Sequence, residues 1–174
     1  MKSRNSWIRS GLIAAAGLLF ASSYAMAGDS KEKKFHARLE GAQETPAIST
    51  AATGTFDAKV NSAGDQLSYE LEYSGLEGGN TLFAHVHIGQ FDVAGGVMFF
   101  LCGGGSKPVC PNGSATLTGT VTAADIIGPA GQGISAGQFD EAIRAMRDGI
   151  AYANVHTATY PGGEIRGQIN HRGR

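Results

Sequence analysis

The sequence predicts a mainly β fold: an antiparallel, Greek-key-like β-sandwich or flattened barrel with one short helix. Three observations carry this expectation. About eight short apolar or alternating runs are separated by turn signals. The 174-residue chain holds 26 glycines, about 15% against a usual ~7%, alongside many Thr, Val and Tyr residues. One stretch alone has helical spacing.

Phe35 to Leu39 reads as a first strand, broken by Gly41-Ala42-Gln43-Glu44-Thr45-Pro46. Gly54, Phe56, Ala58 and Val60 alternate with Thr55, Asp57 and Lys59 in a second strand. Asn61 to Asp65 is a turn. Leu67, Tyr69, Leu71 and Tyr73 then alternate with Ser68, Glu70 and Glu72, completing a hairpin. After a loop from Gly75 to Asn80 comes the run Leu82-Phe83-Ala84-His85-Val86-His87-Ile88. Val97 to Leu101 is continuously apolar and reads as a buried strand, and Ala115 to Val121 as another.

The helix comes next. Ser135 with Gln138 resembles a capping box. Phe139, Ala142, Ile143 and Met146 form one face, and Asp140, Glu141, Arg144 and Arg147 the other; Gly149 stands where a C-terminal cap belongs. The helix is expected to cross one end of the sheet or cover an edge. The chain closes with the strand Ala151 to Thr157, the turn Tyr160-Pro161-Gly162-Gly163 and a strand from Glu164 to Asn170. In that last strand Ile165 and Ile169 face inward, and Glu164, Arg166 and Gln168 outward.

The histidines are the sharpest functional clue. In the first histidine run Leu82, Ala84, Val86 and Ile88 form the apolar face, so His85 and His87 share the opposite one. In the second, Ala151, Ala153 and Val155 are apolar, so His156 is on the polar face as well. If the two strands are neighbours, three imidazoles converge on the outside of a sheet. That is a donor set for copper or zinc, with copper preferred on affinity. An antiparallel sheet can leave this face in water, so the competing expectation is three tolerated surface histidines. His36 and His171, near the two ends, read as surface residues.

Residues 1–27 have the form of an export signal. Lys2, Arg4 and Arg9 precede the apolar stretch Gly11 to Phe20, and Ala25-Met26-Ala27 is an A-x-A cleavage site. The apolar stretch is short for a membrane span, and no cysteine follows the cut to take a lipid. The expectation is a periplasmic or extracellular domain over residues 28–174, with no stable membrane insertion once the signal is gone. That segment carries 11 basic against 15 acidic side chains, a net charge of −4. Nucleic-acid binding, which needs a basic footprint, is not expected. The charges from Lys31 to Lys34 read as a solvated tail.

Cys102 and Cys110 are the two cysteines. In an exported chain a disulfide is the default. Flanked by Gly and Pro, it reads as a stapled turn, and closing so small a loop contributes about 2–3 kcal/mol in the chain-entropy account. A thiolate metal site or a redox pair is the alternative.

Four stretches carry a family resemblance: Leu39-Glu40-Gly41-Ala42-Gln43-Glu44-Thr45-Pro46, Ala84-His85-Val86-His87-Ile88-Gly89, Gly149 to Thr157, and Tyr160-Pro161-Gly162-Gly163-Glu164-Ile165-Arg166-Gly167-Gln168-Ile169. In order and spacing the chain resembles the CHRD domain, the module named after chordin and found in many exported bacterial proteins. The resemblance implies an architecture; it carries no general activity. A second resemblance is to Cu/Zn superoxide dismutases, which also bear a His-Val-His run on the outside of a Greek-key sandwich. By that likeness His85, His87 and His156 match copper ligands, and Arg166 matches the arginine beside the copper. No histidine lies between His87 and His156, so the bridging ligand and the zinc loop of that family have no counterpart.

Glu44 and Glu164 are candidates to accept a hydrogen bond from a ligand imidazole and fix its tautomer. Glu44 has the alternative role of stabilising the turn before Pro46, and Arg166 that of a strand-surface charge. No G-x-S-x-G elbow, phosphate loop or HExxH helix is present, so neither a hydrolase nor a nucleotide enzyme is expected. Three functions remain open. The first is an exported module binding metal, copper above zinc, in metal handling or envelope protection. The second is a copper-only dismutase-like enzyme with Arg166 guiding the anion. The third is a metal-free module that engages another envelope or extracellular protein.

Overall fold

The computed structural model describes residues 34–169. The expected export signal, the charged residues 31–33 and His171 lie outside that range. Eight strands form one continuous antiparallel sheet: β1 (Lys34–Glu40), β2 (Thr53–Val60), β3 (Leu67–Ser74), β4 (Thr81–Ile88), β5 (Val97–Cys102), β6 (Ala115–Val121), β7 (Ala151–Thr157) and β8 (Ile165–Gln168). Their order across the sheet is β5-β4-β7-β8-β1-β2-β3-β6. The sheet curls into a nearly closed barrel, the flattened-barrel form of the expected architecture. Across the interior, the Tyr69 hydroxyl on β3 donates to the Leu101 carbonyl on β5 at 2.7 Å. In the connection between the edge strands β5 and β6, Lys107 pairs with Asp125 at 2.8 Å and donates to the Thr120 carbonyl of β6.

Alternation explains the interior. Phe56, Leu67, Leu71, Val86, Val155 and Ile165 are inaccessible and come from the apolar parity of their strands, while the continuously apolar β5 buries both Met98 and Phe99. The disulfide Cys102–Cys110 is formed, with its Cα atoms 5.1 Å apart.

The helix α1 (Phe139–Arg147) buries Phe139, Ala142, Ile143 and Met146 as its spacing predicts. Its start differs in detail. Gln138 is itself the cap position, and its side chain accepts from the Ser135 amide at 2.6 Å, closing the preceding turn instead of the first helical one. Gly149 ends the helix at φ +70°, and the Ile150 amide turns back to Ala145 at 3.1 Å. α1 packs on β4 and β7 and leads directly into β7. The two strands that carry the histidines therefore share one support.

β7 lies between β4 and β8, with His85 opposite Asn154, His87 opposite Tyr152 and Phe83 opposite His156. β4 is irregular against β5, its register shifting between Ala84 and His85 and again between Val86 and His87. Such bulges re-aim side chains, and these fall at the two histidines.

The expected solvation of the histidine face is overturned. The polar face of β4, β7 and β8 is outside the barrel but not in water. His85, His87 and His156 are only 6–7% exposed, Arg166 2% and Glu164 0%. Three loops fold over this face: 41–52, 89–96 and 158–164. The face's own side chains tie down polar groups of these loops and of the neighbouring connections. Gln168 donates to the carbonyls of Gly89 and Gly149 at 2.9 and 2.8 Å. Glu164 accepts from the amides of Glu77 and Gly78 and the hydroxyls of Thr50 and Thr157, at 2.7 to 3.0 Å. Buried polar groups persist when so paired.

Candidate metal centre

The expected convergence of His85, His87 and His156 is present. The His85 ring is in the middle, with centroids 4.5 Å from His87 and 4.4 Å from His156. One ring nitrogen from each residue lies within 4.8 Å of the others. Tetrahedral zinc with nitrogen ligands at about 2.0–2.1 Å needs donors roughly 3.3 Å apart, so a modest closing of the three rings would admit an ion.

The hydrogen bonds already select the donor atoms. His87 Nδ1 is 2.9 Å from the Gly95 carbonyl, and His156 Nδ1 is 3.0 Å from the Pro161 carbonyl. A carbonyl can only accept, so both Nδ1 atoms carry the proton and each Nε2 is a bare lone pair. Those two Nε2 atoms, together with His85 Nδ1, are buried without any hydrogen-bond partner. An orphaned buried polar atom costs about 1–3 kcal/mol. Three such atoms belong to this one histidine cluster, a donor set that could hold a cation.

Burial also keeps the rings neutral. Desolvation, with the like charges of His156 and His87 behind it, pushes His85 down to about 2. Desolvation lowers His87 to about 4, against the opposing bond to Gly95. His156 is lowered for the same reason, its bond to Pro161 working the other way. Neutral imidazole is the form that binds metal.

The remaining sequence candidates lie around the cluster. The Arg166 guanidinium sits 3.5 Å over the Tyr152 ring, and that ring stacks on His87 at 4.6 Å and 4°. Because Tyr152 stands on β7 between β4 and β8, His87 and Arg166 take opposite faces of it. Arg166 donates to the carbonyls of Gln90 and Val93 at 2.9 and 3.1 Å and to Thr45 Oγ1 at 3.3 Å. It fastens the 89–96 loop. Glu44 accepts from Asn154 Nδ2, and desolvation raises its carboxyl to about 7. Glu164 serves the four donors named above. The bonds that orient His87 and His156 come from backbone carbonyls of the covering loops, the role expected of the two carboxylates. His36 is exposed on β1, two strands from β7, lies 2.9 Å from Asp57 and is not part of the cluster.

Sequence reasoning missed several participants. Tyr152 and Asn154 share the parity of His156, so alternation had already put them on its face. Gly95 had no such signal. Its carbonyl orients His87 and its amide donates to the Tyr152 hydroxyl at 3.1 Å. A Cβ there would lie 1.6 Å from the Ile88 carbonyl oxygen, so only glycine lets the loop come this close.

The fold and the cluster together define a β-barrel module with a buried, three-nitrogen donor set. Its family is given by the sequence: the model of the CHRD domain matches residues 35–169, and the chain belongs to that family. No curated protein and no solved structure matches the chain. Among the described residues no helix is long and apolar enough to cross a membrane.

Proposed function

We propose that this protein is an exported CHRD module that binds one transition-metal ion, copper above zinc, through His85, His87 and His156. Its role is metal handling or protection of the envelope. The observation that carries the reading is three buried ring nitrogens with no partner, one on each histidine of a cluster whose candidate donor atoms lie within 4.8 Å of one another. A surface histidine patch would leave these atoms in water, and a structural core histidine would pair them. The disulfide and the export-type leader support an oxidising compartment.

The donor set suits copper and zinc alike. A dismutase-like reaction has less support. It needs a cation free to meet an anion at the metal, and Arg166 is committed to Thr45, Gln90 and Val93 with Tyr152 standing between it and His87.

Metal content of the purified chain after loading and dialysis tests the reading, beside a variant with His85, His87 and His156 all replaced by alanine. About one ion per chain, lost in the variant, is expected. No retained metal in either protein would sink the metal site and leave a protein-interaction module.

A further inference from the structure

Resting on the metal site just proposed, we infer that the pocket selects monovalent copper over divalent ions, and that Arg166, acting through the Tyr152 ring, is a positioning residue that sets this selectivity. The first ground is charge. The cluster consists of three histidines, with no carboxylate or thiolate among its donors. Its ligands therefore supply no negative charge. All three are more than nine-tenths buried. Bringing an ion out of water costs more steeply as its charge rises, and that cost is recovered only where counter-charge is at hand. A divalent ion in this pocket would keep two uncompensated charges; Cu(I) would keep one.

Coordination number points the same way. Three nitrogen donors suffice for Cu(I), whereas zinc takes four ligands and would have to retain a water. The surroundings of His85 leave that water little polar company. Phe100 meets the His85 ring edge-on at 5.2 Å and Phe83 stacks beside it at 6.3 Å.

The third element is a fixed cation. The Arg166 guanidinium is one aromatic ring away from ligand His87. It is held by two backbone carbonyls and cannot swing aside. Its positive charge opposes a second charge on the metal. Glu44 and Asp92 both interact with it electrostatically and offset part of that charge. Glu164 is surrounded by its own four donors, and burial raises the Glu44 carboxyl, bonded to Asn154, to about 7, so its share of that offset is partial.

Competition titration of the purified chain tests this. Anaerobic Cu(I), kept reduced with ascorbate, is competed against bathocuproine disulfonate, and Zn(II) against a chromophoric zinc chelator. Cu(I) is expected to bind about 100-fold tighter or more than Zn(II). Arg166→Gln should narrow that ratio about tenfold, while Arg166→Lys, which keeps the charge, should hold it. Glu44→Gln removes the carboxyl beside Arg166 and should leave the ratio equal or wider, an independent check should Arg166→Gln fail to fold. Binding of neither ion would overturn the site itself and this inference with it. Zinc bound as tightly as Cu(I) would overturn the selectivity and leave the site standing. Equal weakening of both ions in Arg166→Gln, or a ratio narrowed by Glu44→Gln, would overturn the role given to Arg166.

Discussion

Two halves of the barrel's outer surface share one residue alternation and have opposite surroundings. On β2, β3 and β6 the outward residues, among them Asp57, Lys59, Glu70, Glu72 and Thr118, are exposed. On β7 and β8 the same parity gives Tyr152, Asn154, His156, Arg166 and Gln168, and every one is buried. The difference lies in the connections between strands. β2 and β3 are joined by the turn 61–66, which Asn61 closes on itself through bonds to Gly64, Asp65 and Gln66. The loops at 41–52, 89–96 and 158–164 instead reach back over the sheet. A polar face covered by loops must then supply partners for loop backbone. In that half Asn154, Glu164, Arg166 and Gln168 act as fasteners, and the three histidines each keep one ring nitrogen without a partner.

Exchanging one carboxylate in each half should give the largest contrast. Glu164→Gln replaces an acceptor of four hydrogen bonds with an amide whose nitrogen must face donors. A loss of about 3 kcal/mol or more is expected in urea unfolding. Glu70→Gln on the open half should stay within about 0.5 kcal/mol. Similar midpoints for the two variants would mean that the covering loops do not depend on the face beneath them.

The two halves also differ in how much of them the sequence could reveal. Period-two alternation placed His85, His87 and His156 on one parity, and the strand order of β4 beside β7 then brought them together. The helix face and the apolar interior were legible for the same reason, since each is a local repeat. Burial of the polar face was not legible. It depends on where Gly89–Gly96 lands after leaving β4, which is set by Arg166, some seventy residues downstream. Glu44 and Glu164 were assigned to the imidazoles on chemistry alone, because hydrogen-bond partners of that separation leave no periodic trace. Gly95 was invisible among the many glycines until its carbonyl and amide were seen to clamp His87 and Tyr152.

Acid should act through the covered half. His87 falls from 6.5 to about 4 on folding because burial penalises its charged form. The unfolded chain thus binds protons first as pH drops. The stability tied to neutral His87 is complete above pH 6.5 and is lost as pH falls toward 4, on the order of 3 kcal/mol. His85 and His156 are lowered too and add in the same direction. Glu44 has the opposite sign: raised from 4.5 to about 7, its contribution is complete below 4.5 and is lost as pH rises through 7. Metal-free protein should therefore have a lower urea midpoint at pH 5 than at pH 7.5, and Glu44→Gln should steepen that fall. A midpoint independent of pH in this interval would show that the three rings are not buried in the neutral form.

Metal should stabilise through the same three residues and no others. At an ion concentration 100-fold above Kd the gain is about 2.7 kcal/mol, or a rise in melting temperature of about 5–10 °C for a domain of this size. His36→Ala, at an exposed position of β1 outside the cluster, should keep the whole rise. The triple-alanine variant should lose it. A rise that survives in the triple variant would place the ion elsewhere.

The smallest expected effect separates partnered from unpartnered residues inside the covered half. Asn154 donates to Glu44 and to the Ile165 carbonyl, and Asn154→Leu would strand both acceptors, with a loss of about 2 kcal/mol. His85 has a buried nitrogen with no partner and two phenylalanines beside it. His85→Leu removes an orphaned polar atom and adds apolar surface where apolar neighbours already stand. In metal-free protein the change should be within about 1 kcal/mol, and a net gain is compatible with it. The same variant should retain no metal. An atom that contributes nothing to the empty fold but is required for the ion is kept for binding. If His85→Leu instead destabilised the metal-free protein as much as Asn154→Leu, His85 would be a structural residue, and its bare nitrogen would no longer argue for a metal.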